Sequence, residues 1–307
     1  MKASFINEFG GPETLQFGDR LDPVAGPGEI VVDIHAASVN GADWKVRSGR
    51  SGPVSGFPYI LGRDFSGIVS GLGEGVEDFT IGDAVFAVCG VGQEGAYAQK
   101  IAIDASIVAK KPQSLSHVEA ASLALAGLTA LVSIEDTLRL QAGEKILIQG
   151  GAGGVAAFAI ELAKHIGARV ITTASAANHD YLRRLGADQI IDYNAQDFTQ
   201  AVSRCDAVFD TVGGDVAARS FGVLKPGGRA AFIASGGVAP ASPRGDVQSL
   251  RPKVGRSRAH LARIAELIEA GAVHTPEITT WKLSEAAAAH RISEARHLRG
   301  KLVFTVR

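Results

Sequence analysis

The chain has 307 residues, 31 basic and 32 acidic, and a net charge of −1. That balance supplies no field for nucleic acid or for an anionic membrane surface, so any bound anion must be met at a local site. With 37 glycines and only 6% aromatics the composition suits a turn-rich α/β protein and argues against disorder; two lone cysteines, Cys89 and Cys205, argue against a disulfide framework and for a cytoplasmic setting.

In chain order, residues 1–115 read as short strands and turns. Glu8 and Glu13 interrupt the amino-terminal region and no apolar stretch follows Lys2, so no signal peptide is expected. Ile30, Val32, Ile34 and Ala36 alternate with Val31, Asp33, His35 and Ala37, the period of two of a half-buried strand. Short apolar runs at 67–69, 84–88, 97–103 and 107–109 lie between glycine-bearing turns at 26–28, 71–75 and 90–95. Such punctuation predicts a compact, barrel-like β domain. The longest uncharged stretch, 120–134, is too short to span a bilayer and predicts a buried helix.

From about residue 116 the units lengthen. A strand at 145–149 and a turn at 150–154 precede a helix carried by Val155, Phe158, Ala159, Leu162 and Ile166 and stopped by Gly167. Strands at 169–173, 189–191, 207–209 and 229–233 follow, with helices at 178–185, near 195–202 and near 216–224 between them. Strands separated by helices predict a parallel sheet covered on both faces. Residues 235–256 predict a mobile loop or crossover. Helices at 258–270 and 284–297 and a strand at 301–306 complete the pattern.

The glycine turn carries the first chemical signal. Gly151-x-Gly153-x-x-Ala156 fits the dinucleotide fingerprint in its alanine-ended form, placed after a buried strand and before a helix. A glycine at 153 lets the backbone approach a pyrophosphate, and a small residue at 156 lets the helix pack closely on its strand. The helix N-terminus then offers free N–H groups and a positive dipole end. An NAD site carries an acid about 20 residues beyond the glycines. The window 170–178 here has none, which predicts NADPH, with Ser175 and Asn178 as donors to its 2′-phosphate; Ser175 as a helix cap is the equally weighted alternative. There is no Gly-x-Ser-x-Gly elbow, no phosphate loop ending Gly-Lys-Ser/Thr, no His-Glu-x-x-His and no four-cysteine zinc set. Cys89 reads as a small buried residue rather than a reactive thiol.

A series of segments resembles the medium-chain dehydrogenase/reductase superfamily, and within it the zinc-free quinone oxidoreductase branch. Asn40-Gly-Ala-Asp43 is similar to the branch's Asn-x-x-Asp, and Gly62-Arg-Asp-Phe-Ser-Gly67 to its Gly-x-Asp-x-x-Gly. Gly82-Asp-Ala-Val85, Gly95-Ala-Tyr-Ala98, Gly127-Leu-Thr-Ala130 and the glycine turn follow. Leu185-Gly-Ala-Asp188, Ile191-Asp-Tyr193, Asp210-Thr-Val-Gly213, Lys225-Pro-Gly-Gly228 and Gly300-Lys-Leu-Val303 complete a set that covers essentially the whole chain. The resemblance implies a discontinuous GroES-like catalytic domain, 1–115 and 255–307, interrupted by a Rossmann domain, a doubly wound parallel sheet, over 116–254. It departs from the zinc alcohol dehydrogenases, which carry a cysteine at Asn40 and Gly-His-Glu at Gly62-Arg63-Asp64. Many NADPH-using relatives have a lysine near Asn178; Arg183 and Arg184 are candidate substitutes.

The resemblance implies hydride transfer from NADPH to a quinone or an α,β-unsaturated carbonyl, a small-molecule electrophile, in a cytoplasmic homodimer that binds neither nucleic acid nor membrane. Gly150, Gly151, Ala152, Gly153, Gly154 and Val155 are expected to line the cofactor, with Thr129 by the nicotinamide and Tyr193, Val212, Ala234 and Ser235 at further contacts. Asn40 is expected to orient cofactor or substrate, and Asp43, Lys45 and Tyr59 to line the substrate mouth. For Lys45 a role in stabilising negative oxygen competes with a surface position beside Trp44. Asp43 competes as a turn-fixing residue and Tyr59 as ordinary packing beside Pro58. A non-catalytic NADPH-binding sensor or scaffold is the alternative function.

Overall fold

A computed structural model describes all 307 residues. In chain order, β1 (Lys2–Ile6), β2 (Gln16–Asp19), β3 (Glu29–Val39), α1 (Gly41–Arg47), β4 (Tyr59–Ile60), β5 (Asp64–Leu72), β6 (Ala84–Val88), β7 (Lys100–Asp104) and β8 (Ala109–Lys110) lead to the long helix α2 (His117–Leu131). Then β9 (Lys145–Gln149), α3 (Gly154–Ile166), β10 (Arg169–Ala174), α4 (His179–Arg184), β11 (Gln189–Asp192), α5 (Phe198–Ala201), β12 (Cys205–Asp210), α6 (Gly214–Ser220), β13 (Leu224–Phe232) and β14 (Gln248–Leu250) alternate. The helices α7 (Arg258–Glu269) and α8 (Ala286–Glu294) and the strands β15 (Ile278–Lys282) and β16 (Lys301–Thr305) finish the chain.

Two compact units result. The first comprises Met1–Leu125, Gly255–Glu269 and Thr275–Arg307; the second comprises Ala126–Val254 and Ala270–His274. The first is built on a seven-stranded sheet in the order β15-β16-β3-β5-β6-β8, with β7 also paired to β3, and on a small sheet β2-β1-β4. The long strand β3 is shared by both arms of the larger sheet because its register shifts twice, at Val31/Val32 and Ile34/Ala36, which bends it. Its even-numbered residues Ile30, Val32 and Ile34 are wholly buried, as the alternation predicts. They join Leu61, Phe65, Val85, Tyr97 and Phe304 in one core.

The second unit is a six-stranded parallel sheet in the order β11-β10-β9-β12-β13-β14. Strand order reverses between β10 and β12, on either side of the central β9, the point at which doubly wound sheets open a crevice at their strand ends. Every side chain from Ile146 to Gln149 is buried, because a parallel strand is covered on both faces.

Three sequence expectations change. The stretch 235–256 contains β14, a short polar strand that adds to the sheet edge through Arg229–Gln248 to Ala231–Leu250 pairing. Its three residues are too few to show a period. The strand β15 also goes unseen in the sequence, since Ile-Thr-Thr-Trp-Lys alternates poorly and pairs with β16 at an edge. Finally, α2 runs on through a wider turn at Val132–Thr137, giving a 21-residue helical span that is long and apolar enough to cross a membrane. Of its most apolar window 72% is buried inside the protein, the state of a core helix.

Candidate active site and dinucleotide site

In the second unit the turn after β9 has the shape a pyrophosphate needs. Gly150 has φ +74, a left-handed conformation open to glycine at little cost. A Cβ on Gly151 would strike the Thr172 hydroxyl at 2.2 Å, so the residue is glycine for packing. A Cβ on Gly153 would meet only the Gly150 carbonyl at 3.6 Å: its bare face is open. Gly153 is the N-cap of α3, and the first turn of that 13-residue helix holds no acidic residue, leaving its N–H groups and dipole uncompensated. Ala156 is fully buried, as close helix–strand packing requires. Thr173 tightens the turn by accepting the Gly150 N–H at 3.1 Å while donating to Gln149 at 2.7 Å. These features fit a dinucleotide phosphate.

The end of β10 carries no carboxylate. The Ser175 hydroxyl makes no capping bond to the short turn that follows; it accepts from the Asn178 amide at 3.0 Å, which pairs the two proposed donors. Tyr193 and Val212 are exposed beyond their strands at 51% and 41%, as free contact groups must be. Ala234 packs against Gly213, where a Cβ would be 3.1 Å away, and the Ser235 hydroxyl donates to the Val238 carbonyl. Thr129 is partly buried on α2, where its carbonyl accepts from Ser133.

In the first unit Asn40 caps α1. Its N–H donates to Asp43 at 2.8 Å, closing a reciprocal cap with the side chain three residues on. Its carboxamide is engaged within the protein: Nδ2 donates to Asp64 at 2.7 Å, and Oδ1 accepts from Lys301 Nζ at 2.7 Å. Asp64, wholly buried, also accepts from the Ser38 hydroxyl and the Leu125 N–H. Burial drives Asp64 up and Lys301 down, each opposed by the other's charge. Asn40 is therefore the neutral bridge of a buried ion pair.

Asp43 is also fully buried, and its Oδ2 accepts the Tyr97 hydroxyl at 2.8 Å as well as the Asn40 N–H. The turn-fixing role of Asp43 is thus present in the geometry, and its other oxygen faces Arg63, whose Nε lies 3.7 Å away. The same Nε donates to Glu94 at 2.8 Å. Burial first, joined by repulsion from Asp64 at Asp43 and from Asp43 at Glu94, holds both carboxyls above the ordinary range, against the pull of Arg63. Behind Tyr97 a polar chain continues: His290 lies 3.2 Å from its hydroxyl, Arg47 lies 3.3 Å from the other ring nitrogen, and Glu294 pairs with Arg47 at 2.9 Å.

A cavity of about 310 Å³ opens above this layer, and Tyr59, Arg63, Glu94, Val46 and Arg256 are among its walls. Burial lifts the Tyr59 hydroxyl to about 12, so it stays protonated and can donate. Lys45 is not part of the wall; its ammonium sits 5.7 Å from the Trp44 ring, as the surface alternative expects. Of the sequence-derived acceptor residues the structure brings Asn40, Asp43 and Tyr59 around one region and leaves Lys45 aside. Arg63 entered the sequence reading only as a lost metal ligand, and Glu94 not at all; the motif-flanking position of Glu94, next to Gly95-Ala-Tyr-Ala98, was the available signal.

A β-rich unit with a buried polar layer under a cavity, joined in one chain to a dinucleotide-type parallel sheet, defines a two-unit oxidoreductase. Residues 26–113 match the alcohol dehydrogenase GroES-like domain and residues 185–304 the family described as zinc-binding dehydrogenase. The chain is 31% identical to a 2-haloacrylate reductase from Burkholderia, covering 98% of both chains. It is also 32% identical over 97% of its length to a mycocerosic acid synthase-like polyketide synthase of Mycobacterium tuberculosis, of which it spans only 15%. Among solved structures, a Coxiella burnetii quinone oxidoreductase shares 37% identity at a TM-score of 0.92, with 100% and 99% of the chains covered. An Escherichia coli quinone oxidoreductase complexed with NADPH shares 27% identity at 0.91, with both chains fully covered. The chain belongs to the medium-chain dehydrogenase/reductase superfamily, in its quinone oxidoreductase branch.

Proposed function

We propose that the protein transfers hydride from NADPH to a quinone or an α,β-unsaturated carbonyl without zinc. The observation that carries this reading is the open Gly153 face at the start of α3, in a sheet whose second strand ends without a carboxylate. The cofactor supplies the hydride. The backbone of residues 150–155 and the α3 N-terminus hold its pyrophosphate, and Ser175 with Asn178 meets the 2′-phosphate. Thr129, Tyr193, Val212, Ala234 and Ser235 provide the remaining contacts. Tyr59, a hydrogen-bond donor in the cavity wall, polarises the acceptor's carbonyl oxygen, and Arg63 beside it binds the acceptor's far end. Asn40 and Asp43 act behind them, holding α1 and Arg63 in place.

Support for a metal-free reaction is the donor set. Asn40 and Arg63 offer no soft ligand, both cysteines are buried and unpaired, and no group of three or more His, Cys, Asp or Glu side chains gathers to hold an ion. Purified protein is expected to carry well under one zinc per chain by elemental analysis and to keep its activity in chelator; stoichiometric zinc with chelator-sensitive turnover overturns this. The decisive assay follows NADPH absorbance with 9,10-phenanthrenequinone and with simple enones. Turnover supports the reading, and tight NADPH binding with no turnover on any acceptor supports a sensor instead.

The reading places the protein in the cytoplasm as a homodimer, free of membrane and nucleic acid. Two buried free cysteines support the compartment and a net charge of −1 the lack of nucleic-acid binding, while the homodimer rests on the family resemblance. Curated relatives include mitochondrial and chloroplastic proteins, so the fold itself works in several compartments.

A further inference from the structure

We infer that the acceptor bound in the first unit's cavity carries a carboxylate, held between Arg63 and Arg256, so that unsaturated acids are preferred over their neutral counterparts. This rests on the reductase reading above and narrows its substrate class.

Three observations carry it. First, the two guanidinium groups are the only basic side chains among the cavity walls, and both are anchored from behind. Arg63 is fixed through Nε by Glu94 and faces Asp43 through the same nitrogen; its two terminal amino groups make no hydrogen bond within the protein. They form the flat fork that matches a carboxylate in two parallel bonds. Arg256 is fixed through Nε on the Cys89 carbonyl. Second, the two guanidinium groups lie close enough to repel each other. Arg256 is disfavoured as a cation by burial first and by Arg63 next, with Asp64 among the groups that oppose this. Against burial, Asp43 and Glu94, both on the Nε side of Arg63, hold it as a cation, so its terminal amino groups keep their charge. Tyr59, the remaining titratable side chain of the wall, is pushed up by burial and stays neutral. Third, apart from Glu94, which is turned to Arg63, the rest of the wall is uncharged, with Ser51, Ser55 and Gln93 beside glycine, proline and valine residues. A neutral enone offers the Arg63 fork one carbonyl oxygen; a carboxylate offers it two.

The reaction balances without a further reagent. Hydride from NADPH forms a C–H bond at the β-carbon as the C=C π-pair moves to the α-carbon and the adjoining carbonyl. A proton from solvent completes the α-carbon, giving the saturated acid and NADP⁺.

The test compares 4-oxopent-2-enoate with its methyl ester, using NADPH oxidation by the full chain. A conjugated carboxylate is intrinsically less electrophilic than its ester, so preference for the acid reports recognition rather than reactivity. We expect kcat/KM for the acid to exceed that for the ester at least tenfold, mostly through KM, and the advantage to shrink as salt rises. Arg256→Met should cut the acid-to-ester ratio by about tenfold. Because Arg63→Met strands two buried acids, the paired variant Arg63→Met/Glu94→Gln is made as well and should abolish the ratio. Equal or ester-favouring kinetics in the wild type overturns the inference, as do variants that slow both substrates alike. Wild-type turnover of phenanthrenequinone keeps the two questions apart: quinone and ester turnover without acid preference refutes only this inference, and no turnover of any acceptor refutes the reductase reading.

Discussion

Truncating Asn40 to alanine removes the group that joins a buried carboxylate to a buried ammonium. Asp64 would lose a 2.7 Å donor and Lys301 a 2.7 Å acceptor, both out of reach of water. Leaving such groups unmade costs about 1–3 kcal/mol, so the variant should show a lowered urea midpoint. A full midpoint with impaired turnover would return Asn40 to the reactant-orienting role that the family resemblance implies. At Ser175 the argument concerns charge. Glutamate there repels a 2′-phosphate and offers an acceptor to a ribose diol, so Ser175→Glu should shift the NADPH-to-NADH affinity ratio toward NADH by tenfold or more, as two charge-assisted bonds of about 1.5–3 kcal/mol each allow. Titration of both cofactors measures it, and an unchanged ratio moves the phosphate site elsewhere. These residues were visible in the sequence as motif positions, but their partners were not. Asn40 meets Lys301 across 261 residues and Arg63 meets Glu94 across 31, separations at which spacing rules say nothing.

Among the elements, the β9–α3 turn separates packing from binding within three residues. Gly153→Ala adds a methyl group to open space, so the fold should melt unchanged while NADPH affinity falls at least tenfold, measured by fluorescence titration. Gly151→Ala drives a methyl into Thr172 and should cost stability, about 1–3 kcal/mol as overpacking does. If both variants bind cofactor normally, the pyrophosphate lies elsewhere. This turn was legible because strand, glycines and helix are consecutive in the chain. The edge strands β14 and β15 were not: three to five residues with one paired side carry little alternation, and pairing partners rather than their own pattern make them strands.

Acid stability belongs to the whole molecule, and His290 gives it a handle. Burial, with Arg47 next, holds its imidazole down to about 3, against an ordinary value of about 6.5. A depressed folded value means that the unfolded chain takes up the proton first. The contribution is complete above about pH 6.5 and is lost as pH falls toward about 3. His117, lowered to about 4 by burial, acts in the same sense. Asp43 and Glu94, raised, act in the opposite one, so the useful measurement is a difference. The stability of the wild type relative to His290→Gln should shrink as pH drops across that window, read from denaturation midpoints at several pH values; a constant gap would mean that the ring is not held neutral. The same topology also sets a clock. The second unit is nearly continuous in the chain, while the ammonium that Asn40 bonds arrives 261 residues later. At ribosomal speeds of about 5–20 residues per second, that is roughly ten seconds to a minute. Throughout that interval Asn40 and Asp64 lack the lysine, and even the last piece of the nucleotide-binding half, Ala270–His274, is made before Lys301, so that half can close before the acceptor half can lock.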